Sequence, residues 1–180
     1  MSNINQIREN YAVVVGTLKY KSLDESFLIF KKLKEYNINL QLYIIGDKIN
    51  IPKIFFLNKD IKIFGLIERN KVINILRSAK YYISNTTIEN SYNAACEGVF
   101  LANESFISDI PVHRELLTNS NYNIIDVKGC NNKILHIKFE NLNRTILKTW
   151  SDIINDMFIK IKLYNIFILY YVLHIVLMYF

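Results

Sequence analysis

Glu89 and Glu97 stand eight positions apart in the stretch Ser84-Asn85-Thr86-Thr87-Ile88-Glu89-Asn90-Ser91-Tyr92-Asn93-Ala94-Ala95-Cys96-Glu97-Gly98. At about 3.6 residues per turn, a helix through both would set the carboxylates about two turns apart on nearly one face. The apolar run Tyr81-Tyr82-Ile83 comes just before them, and the pattern predicts a strand there feeding a helix that begins near Asn90 or Ser91. A strand that runs into a helix N-terminus points backbone N–H groups at one spot and makes an anion site. One carboxylate at the helix mouth and another two turns deeper suit a ligand in which a phosphate is flanked by two sugars.

The elements that must hold these residues read as strands alternating with helices. Tyr11-Ala12-Val13-Val14-Val15-Gly16 is a continuous apolar run closed by glycine, the pattern of a buried strand. Ser22 followed by Glu25 predicts a capping box opening a helix through Leu23, Phe27, Phe30, Leu33 and Tyr36. Leu40 to Ile45 and Ile61 to Phe64 read as further strands, closed by Gly46-Asp47 and Gly65. Asn70 is expected to cap a helix ending near Ser78. Tyr81–Ile83 and Ser105–Ile107 are the fourth and fifth strands, with the two-glutamate helix between them reaching about Leu101. A turn at Pro111, a short helix around Arg114–Leu117 and a sixth strand over Asn123–Val127 follow. Lys133–Glu140 fits a strand or a helix, and Trp150–Ile159 fits a helix. Such alternation predicts an α/β domain with a mostly parallel sheet and helices on both faces. Ligands in these sheets bind outside the carboxyl ends of the strands. Gly16, Gly46, Gly65 and the Thr86–Ser91 loop all fall at that edge and would converge on one crevice.

The chain's 180 residues are enough for one domain with a core, and 51% hydrophobic residues with two Pro and five Gly exclude a disordered chain. The net charge of +6 is scattered, as in Lys31-Lys32-Leu33-Lys34. A nucleic-acid reader would gather it into a basic face with interleaved aromatics, so the charge points to an anionic substrate or anionic lipid head groups. Cys96 and Cys130 are too few for a disulfide framework and read as reduced, buried thiols. No CxxC or HExxH spacing occurs, so no protein-held metal is expected, and the first residues do not form a signal peptide.

Residues Leu163–Phe180 are apolar apart from Asn165 and His174 and follow Lys160 and Lys162. As a helix they would span roughly 27 Å, the lower limit for crossing a bilayer. Three readings stand: a C-terminal membrane anchor with a cytoplasmic basic flank, a helix packed on a partner domain, or residues appended by a frame change. The expected division is a domain over residues 1–160 and an apolar C-terminal helix or tail over 161–180. The expected location is the cytoplasm, at the inner face of the cell membrane if the tail is an anchor.

Taken in order, Glu89-x7-Glu97 after a strand and before Ser108-Asp109-Ile110-Pro111-Val112-His113-Arg114-Glu115 resembles the family 4 glycosyltransferases of the GT-B architecture. These are retaining enzymes with nucleotide-sugar donors. The likeness covers their C-terminal, donor-binding domain, from about Tyr11 to Phe158. It takes in Val15-Gly16 before a basic loop, Ile44-Ile45-Gly46-Asp47, Phe64-Gly65-Leu66 and a closing helix at Trp150. The resemblance implies a Rossmann-like three-layer α/β/α domain, one half of a GT-B fold, with the acceptor-binding domain missing or on another chain. It implies no tightly bound cofactor or metal and a UDP-, GDP- or ADP-linked sugar as substrate; the scattered charge, for its part, predicts no nucleic-acid partner. A membrane-linked acceptor would suit the basic charge and the apolar tail.

By the same resemblance, Glu89 contacts hydroxyls of the transferred sugar and Glu97 takes the hydroxyls of the nucleotide ribose. A carboxylate accepts two hydrogen bonds from a vicinal diol, and charged acceptors make the stronger bonds. Lys21 would bind the diphosphate and stabilise the charge that develops as the sugar–phosphate bond breaks. Thr17 departs from the family pattern, which has Arg after the strand's Gly16. Lys19 either supplies that charge or is a solvated loop lysine, and an ammonium does not copy a bidentate guanidinium. Ser91, Tyr92 and Asn93 replace a glycine-bearing loop, with backbone N–H groups expected to face phosphate. Val99–Glu104 replaces the family's small residues and Gly-x-Pro turn. His113 lies in a region that is mostly structural in the family and is left out of the expected site. The implied activity is retaining sugar transfer in bacterial surface polysaccharide or lipopolysaccharide assembly. The alternatives are a truncated or split fragment that binds nucleotide-sugar without turnover and an α/β binding domain of another kind.

Overall fold

The computed structural model describes residues 8–89 and 93–143. The helix expected at Trp150–Ile159 and the apolar tail 161–180 lie outside the described residues, as do Ser91 and Tyr92. In chain order the elements are β1 (Glu9–Val15), α1 (Leu23–Tyr36), β2 (Gln41–Ile45), α2 (Lys53–Phe56), β3 (Ile61–Gly65) and α3 (Arg69–Ser78). They continue as β4 (Ala79–Ser84), α4 (Asn93–Leu101), β5 (Glu104–Ser108), α5 (Pro111–Leu116), β6 (Asn123–Ile125) and β7 (Ile134–Lys138).

The strands form one seven-stranded sheet in the order β3-β2-β1-β4-β5-β7-β6. The five strands from β3 to β5 pair parallel. Strand β7 runs antiparallel to β5 and β6 antiparallel to β7, so the ambiguous Lys133–Glu140 stretch is a strand. The apolar runs explain the central position of β1. Alternate residues Tyr11 and Val13 pack on one side with Leu76, Ala95, Val99 and Leu116 from α3, α4 and α5. Ala12 and Val14 pack on the other with Ile29, Phe30 and Phe55 from α1 and α2. A strand covered on both faces must be apolar at every position, which is why it reads as an unbroken run. Each fully buried Leu or Ile contributes about 1.5–3 kcal/mol, so these two layers fix the strand ends.

Three local expectations are corrected. Ser22 adopts a left-handed backbone (φ 43°) and makes no side-chain cap bond to α1. It closes the 3-10 turn Lys19–Lys21 instead, donating its N–H to the Lys19 carbonyl, and Glu25 is engaged elsewhere. Helix α3 starts at Arg69 after Glu68, so Asn70 lies inside its first turn and does not cap it. Cys96 and Cys130 are free thiols but only half-buried. Burial pushes both thiols above their usual range, that of Cys130 to about 11. Among the described residues no helix is long and apolar enough to cross a membrane.

Candidate functional site

The strand order reverses between β1 and β4: from β1 the chain moves outward to β2 and β3, then returns to pair on the other side. The loops leaving two such neighbours diverge and open a crevice at the carboxyl edge. The loop after β1 carries Gly16 to Ser22, and the loop after β4 carries Asn85 to Glu89. Across this gap the Lys21 ammonium meets both Glu89 oxygens, at 2.9 and 2.6 Å. The two side chains are only 9% and 7% exposed. Removing both charges from water is costly, so they persist there only as partners.

Hydrogen bonds to the Tyr20 carbonyl hold the two loops together. The Tyr20 carbonyl accepts from the Thr87 N–H at 3.0 Å and from the Thr86 hydroxyl at 3.1 Å, the latter also lying 2.8 Å from the Ile88 carbonyl. Gly16 lies beneath Lys21 with φ +97°, and a Cβ there would sit 3.4 to 3.7 Å from three of the lysine's methylenes. Positive φ favours glycine, and the Lys21 side chain packs against this residue.

Behind the loops, the Glu25 carboxylate accepts from Asn85 Nδ2 at 2.6 Å and from the Asn131 N–H at 2.9 Å, tying α1 to the β4 loop. From the β5 side, the Ser108 hydroxyl donates to the Thr86 carbonyl at 2.7 Å. The Ser108–Glu115 segment is locally determined: Pro111 occupies the first turn of α5, and the Arg114 guanidinium forks onto Asp109 at 2.5 and 2.7 Å. That bond holds the Asp109 carboxyl below its usual range. The turn delivers His113 into the interior, 0% exposed, with Nδ1 at 2.7 Å from the Ser108 carbonyl. Burial lowers its pKa; the Glu89 and Lys21 charges also act on the ring, in opposite directions.

The expected residues do not all converge. Glu89 precedes α4, which begins at Asn93, so the pair of glutamates does not share that helix. Glu97 lies on α4 and pairs with the Arg69 guanidinium at the start of α3, an exposed partner. Both carboxylates act on the buried Tyr82 hydroxyl, whose pKa is raised first by burial and then by Glu89 and Glu97. Thr17 is buried and donates its hydroxyl to the Asp47 carbonyl at 2.9 Å, facing the β2 loop and not the Lys21–Glu89 pair. Lys19 is exposed and lines a small cavity of about 180 Å³ with Thr17, Asp24 and Asn50. Asn93 is exposed at the α4 start.

Arg69, Tyr82, Asn85 and His113 surround the site without having been expected there. Arg69 carries no sequence signal because a lone arginine at a helix start is commonplace. His113 lay in view within the Ser108–Glu115 motif, but its burial depends on tertiary packing. No group of three or more His, Cys, Asp or Glu side chains among the described residues is arranged to hold a metal. Compared with protein-family models and with curated proteins, the chain matches none.

Proposed function

We propose that this chain is the nucleotide-sugar-binding half of a retaining glycosyltransferase, a Rossmann-like domain of GT-B type. The observation that carries it is the Lys21–Glu89 contact at the switch point between β1 and β4. A cation and a carboxylate meet there, one from each of two tied loops. The ordered motifs from Glu89 to Glu115 support the same reading.

In this mechanism the nucleotide-sugar exchanges partners with the ion pair. The diphosphate takes the Lys21 ammonium, and the freed Glu89 carboxylate takes sugar hydroxyls. When the bond from the anomeric carbon to the diphosphate breaks, its electron pair stays on the phosphate oxygen, where Lys21 stabilises the charge. Glu97 takes the ribose diol, exchanging the exposed Arg69 for a ligand at little cost, since exposed ion pairs contribute about 0–1 kcal/mol. An acceptor-binding domain completes the cleft, because transfer needs both substrates held in reacting geometry. The setting is bacterial surface polysaccharide or lipopolysaccharide assembly at the cytoplasmic side of the membrane.

A thermal-shift panel of UDP-, GDP- and ADP-sugars tests the binding, since a ligand of the native state raises apparent stability. Calorimetry on Lys21→Ala, Glu89→Ala and Glu97→Ala then assigns the roles. Binding that survives all three substitutions unchanged overturns the proposal.

Thr17 favours a second reading, binding without turnover. It stands where an arginine is expected, and its hydroxyl is engaged by the Asp47 carbonyl. The leaving diphosphate would then have Lys21 alone. Sugar transfer by the isolated chain would exclude this reading.

A further inference from the structure

The positive charge is scattered along the sequence, but the fold gathers part of it. Residues 31–38 and 53–60 hold five lysines against Glu35 and Asp60, a net of +3, which is half of the chain's +6. The fold sets these two segments side by side. Lys34, in the last turn of α1, reaches the Asp60 carboxylate at 2.8 Å and donates to the Leu40 carbonyl at 3.2 Å. The Leu42 N–H donates to the Asp60 carbonyl at 2.8 Å. The turns that precede the parallel strands β2 and β3 are thereby joined at the amino edge of the sheet. The Lys21–Glu89 crevice lies at the opposite edge.

The same edge is apolar. Ile38 is 79% exposed, Ile54 66% and Leu57 82%. Ile54 and Leu57 stand one turn apart and, with Asn58, Lys59 and Asp60, line a shallow depression of about 370 Å³. Their direction has a cause in the packing of α2. Ile51 and Phe55 are its buried anchors, and Phe55 lies 5.0 Å from Phe27 of α1, centroid to centroid. The side of α2 away from those anchors faces water. Lys32, Lys53 and Lys59 are exposed there and form no salt bridge among the described residues.

The chemistry selects the occupant. Bulky apolar groups among unpaired lysines match the interface of an anionic bilayer, where apolar side chains enter the acyl boundary and ammonium groups meet phosphate. Tyr36, exposed at the end of α1, joins a ring to a hydroxyl and suits the headgroup level. A second copy would set its own net +3 against this one, and like charges repel. A nucleic acid stacks its bases on rings, which the three aliphatic side chains do not offer.

We propose that this amino-edge patch is a membrane-contact surface, with Ile38, Ile54 and Leu57 entering the bilayer interface and Lys32, Lys53 and Lys59 meeting anionic head groups. The proposal goes beyond the nucleotide-sugar reading and does not rest on it. A chain seated this way keeps the crevice open on its far side.

The test is co-sedimentation of the full chain with vesicles of two parts phosphatidylcholine to one part phosphatidylglycerol, and with phosphatidylcholine alone. Residues 163–180 are present in every chain compared, so differences between variants belong to the patch. The wild-type chain should prefer the mixed vesicles about tenfold or more. Ile54→Gln with Leu57→Gln should weaken that binding about tenfold. Lys53→Glu with Lys59→Glu should weaken it about 25-fold or more, at about fivefold for each lysine near the surface. Lys71→Glu with Lys128→Glu makes the same change in net charge at exposed positions elsewhere and should cost no more than about threefold. Equal losses in the two charge-reversed chains, no preference for the mixed vesicles, or patch variants that bind like wild type overturn the proposal. So does an oligonucleotide complex, or a dimer in sedimentation, that K53E/K59E abolishes while vesicles do not bind.

A second measurement needs no variant and so does not depend on how the substitutions fold. In hydrogen exchange on the wild-type chain, mixed vesicles should slow the amides of residues 36–40 and 54–60 and leave those of residues 17–22 and 85–89 unchanged. Protection that misses the first two segments rules the contact out.

Discussion

The Lys21 ammonium lies 2.9 and 2.6 Å from the two oxygens of Glu89, although the residues are 68 positions apart in the chain. Each comes from the loop after one of two neighbouring parallel strands. Their burial makes each depend on the other, and this dependence is measurable.

Replacing either partner alone strands a buried charge. Lys21→Met and Glu89→Gln should each destabilise the fold, Lys21→Met by about 3–5 kcal/mol as expected for breaking a buried pair and Glu89→Gln by less, since the amide oxygen still accepts. The double variant should recover most of the loss, because the unpaired charge is gone. Urea unfolding of the four chains gives the coupling directly, and additive losses would show that the pair is not coupled.

Glu97 should behave in the opposite way. Its partner Arg69 is 79% exposed, so Glu97→Ala should change stability by no more than about 0.5 kcal/mol. Nucleotide affinity should nonetheless fall about tenfold or more, as expected for a charge-assisted bond. Denaturation and calorimetry on the same preparation separate the two effects. A stability loss without an affinity loss would make Glu97 a structural residue.

Gly98→Ala sets helix propensity against packing. In a helix, Ala is favoured over Gly by about 1 kcal/mol. Here the new Cβ would lie 2.3 to 2.4 Å from ring atoms of Tyr82, which is fully buried. The ring cannot retreat, and overpacking costs about 1–3 kcal/mol or more. Packing should win, giving a lower melting temperature, and the displaced α4 should weaken ligand binding through Glu97.

The pH dependence of stability should carry the signature of His113. Burial lowers its folded pKa below the ordinary value of 6.5. The unfolded chain then takes up a proton that the folded chain does not. The contribution of the neutral ring is complete above about pH 6.5 and declines as the pH falls from there towards the folded pKa. The urea midpoint of the wild-type chain should fall over that window relative to H113N, in which this titration is absent. Parallel curves would show that His113 titrates alike in both states.

Much of the fold was legible before the structure. The buried strands announced themselves because a strand covered on both faces has no room for polar residues, and Tyr11–Gly16 has none. Their carboxyl ends were marked by Gly16, Gly46 and Gly65, all with positive φ, which few other residues adopt. The capping of α1 was misread because a Ser-x-x-Glu pattern is satisfied in sequence whether or not the backbone permits it. Ser22 turned left-handed to close the 3-10 turn, and Glu25 found Asn85 and Asn131.

By itself, then, the sequence determined most of the strands and helices and the edge at which Gly16, Gly46 and Gly65 lie, because periodicity and turn chemistry act over a few neighbouring residues; the short α2 went unread, and Lys133–Glu140 became a strand only through its pairing with β5. Only the tertiary structure decided the partners: Lys21 with Glu89, Glu97 with Arg69, and His113 with Ser108. A side chain's partner depends on the path of loops from distant strands. Eight positions of sequence placed two glutamates together; the packing of β1, β4 and α3 sent one to a buried lysine and the other to an exposed arginine.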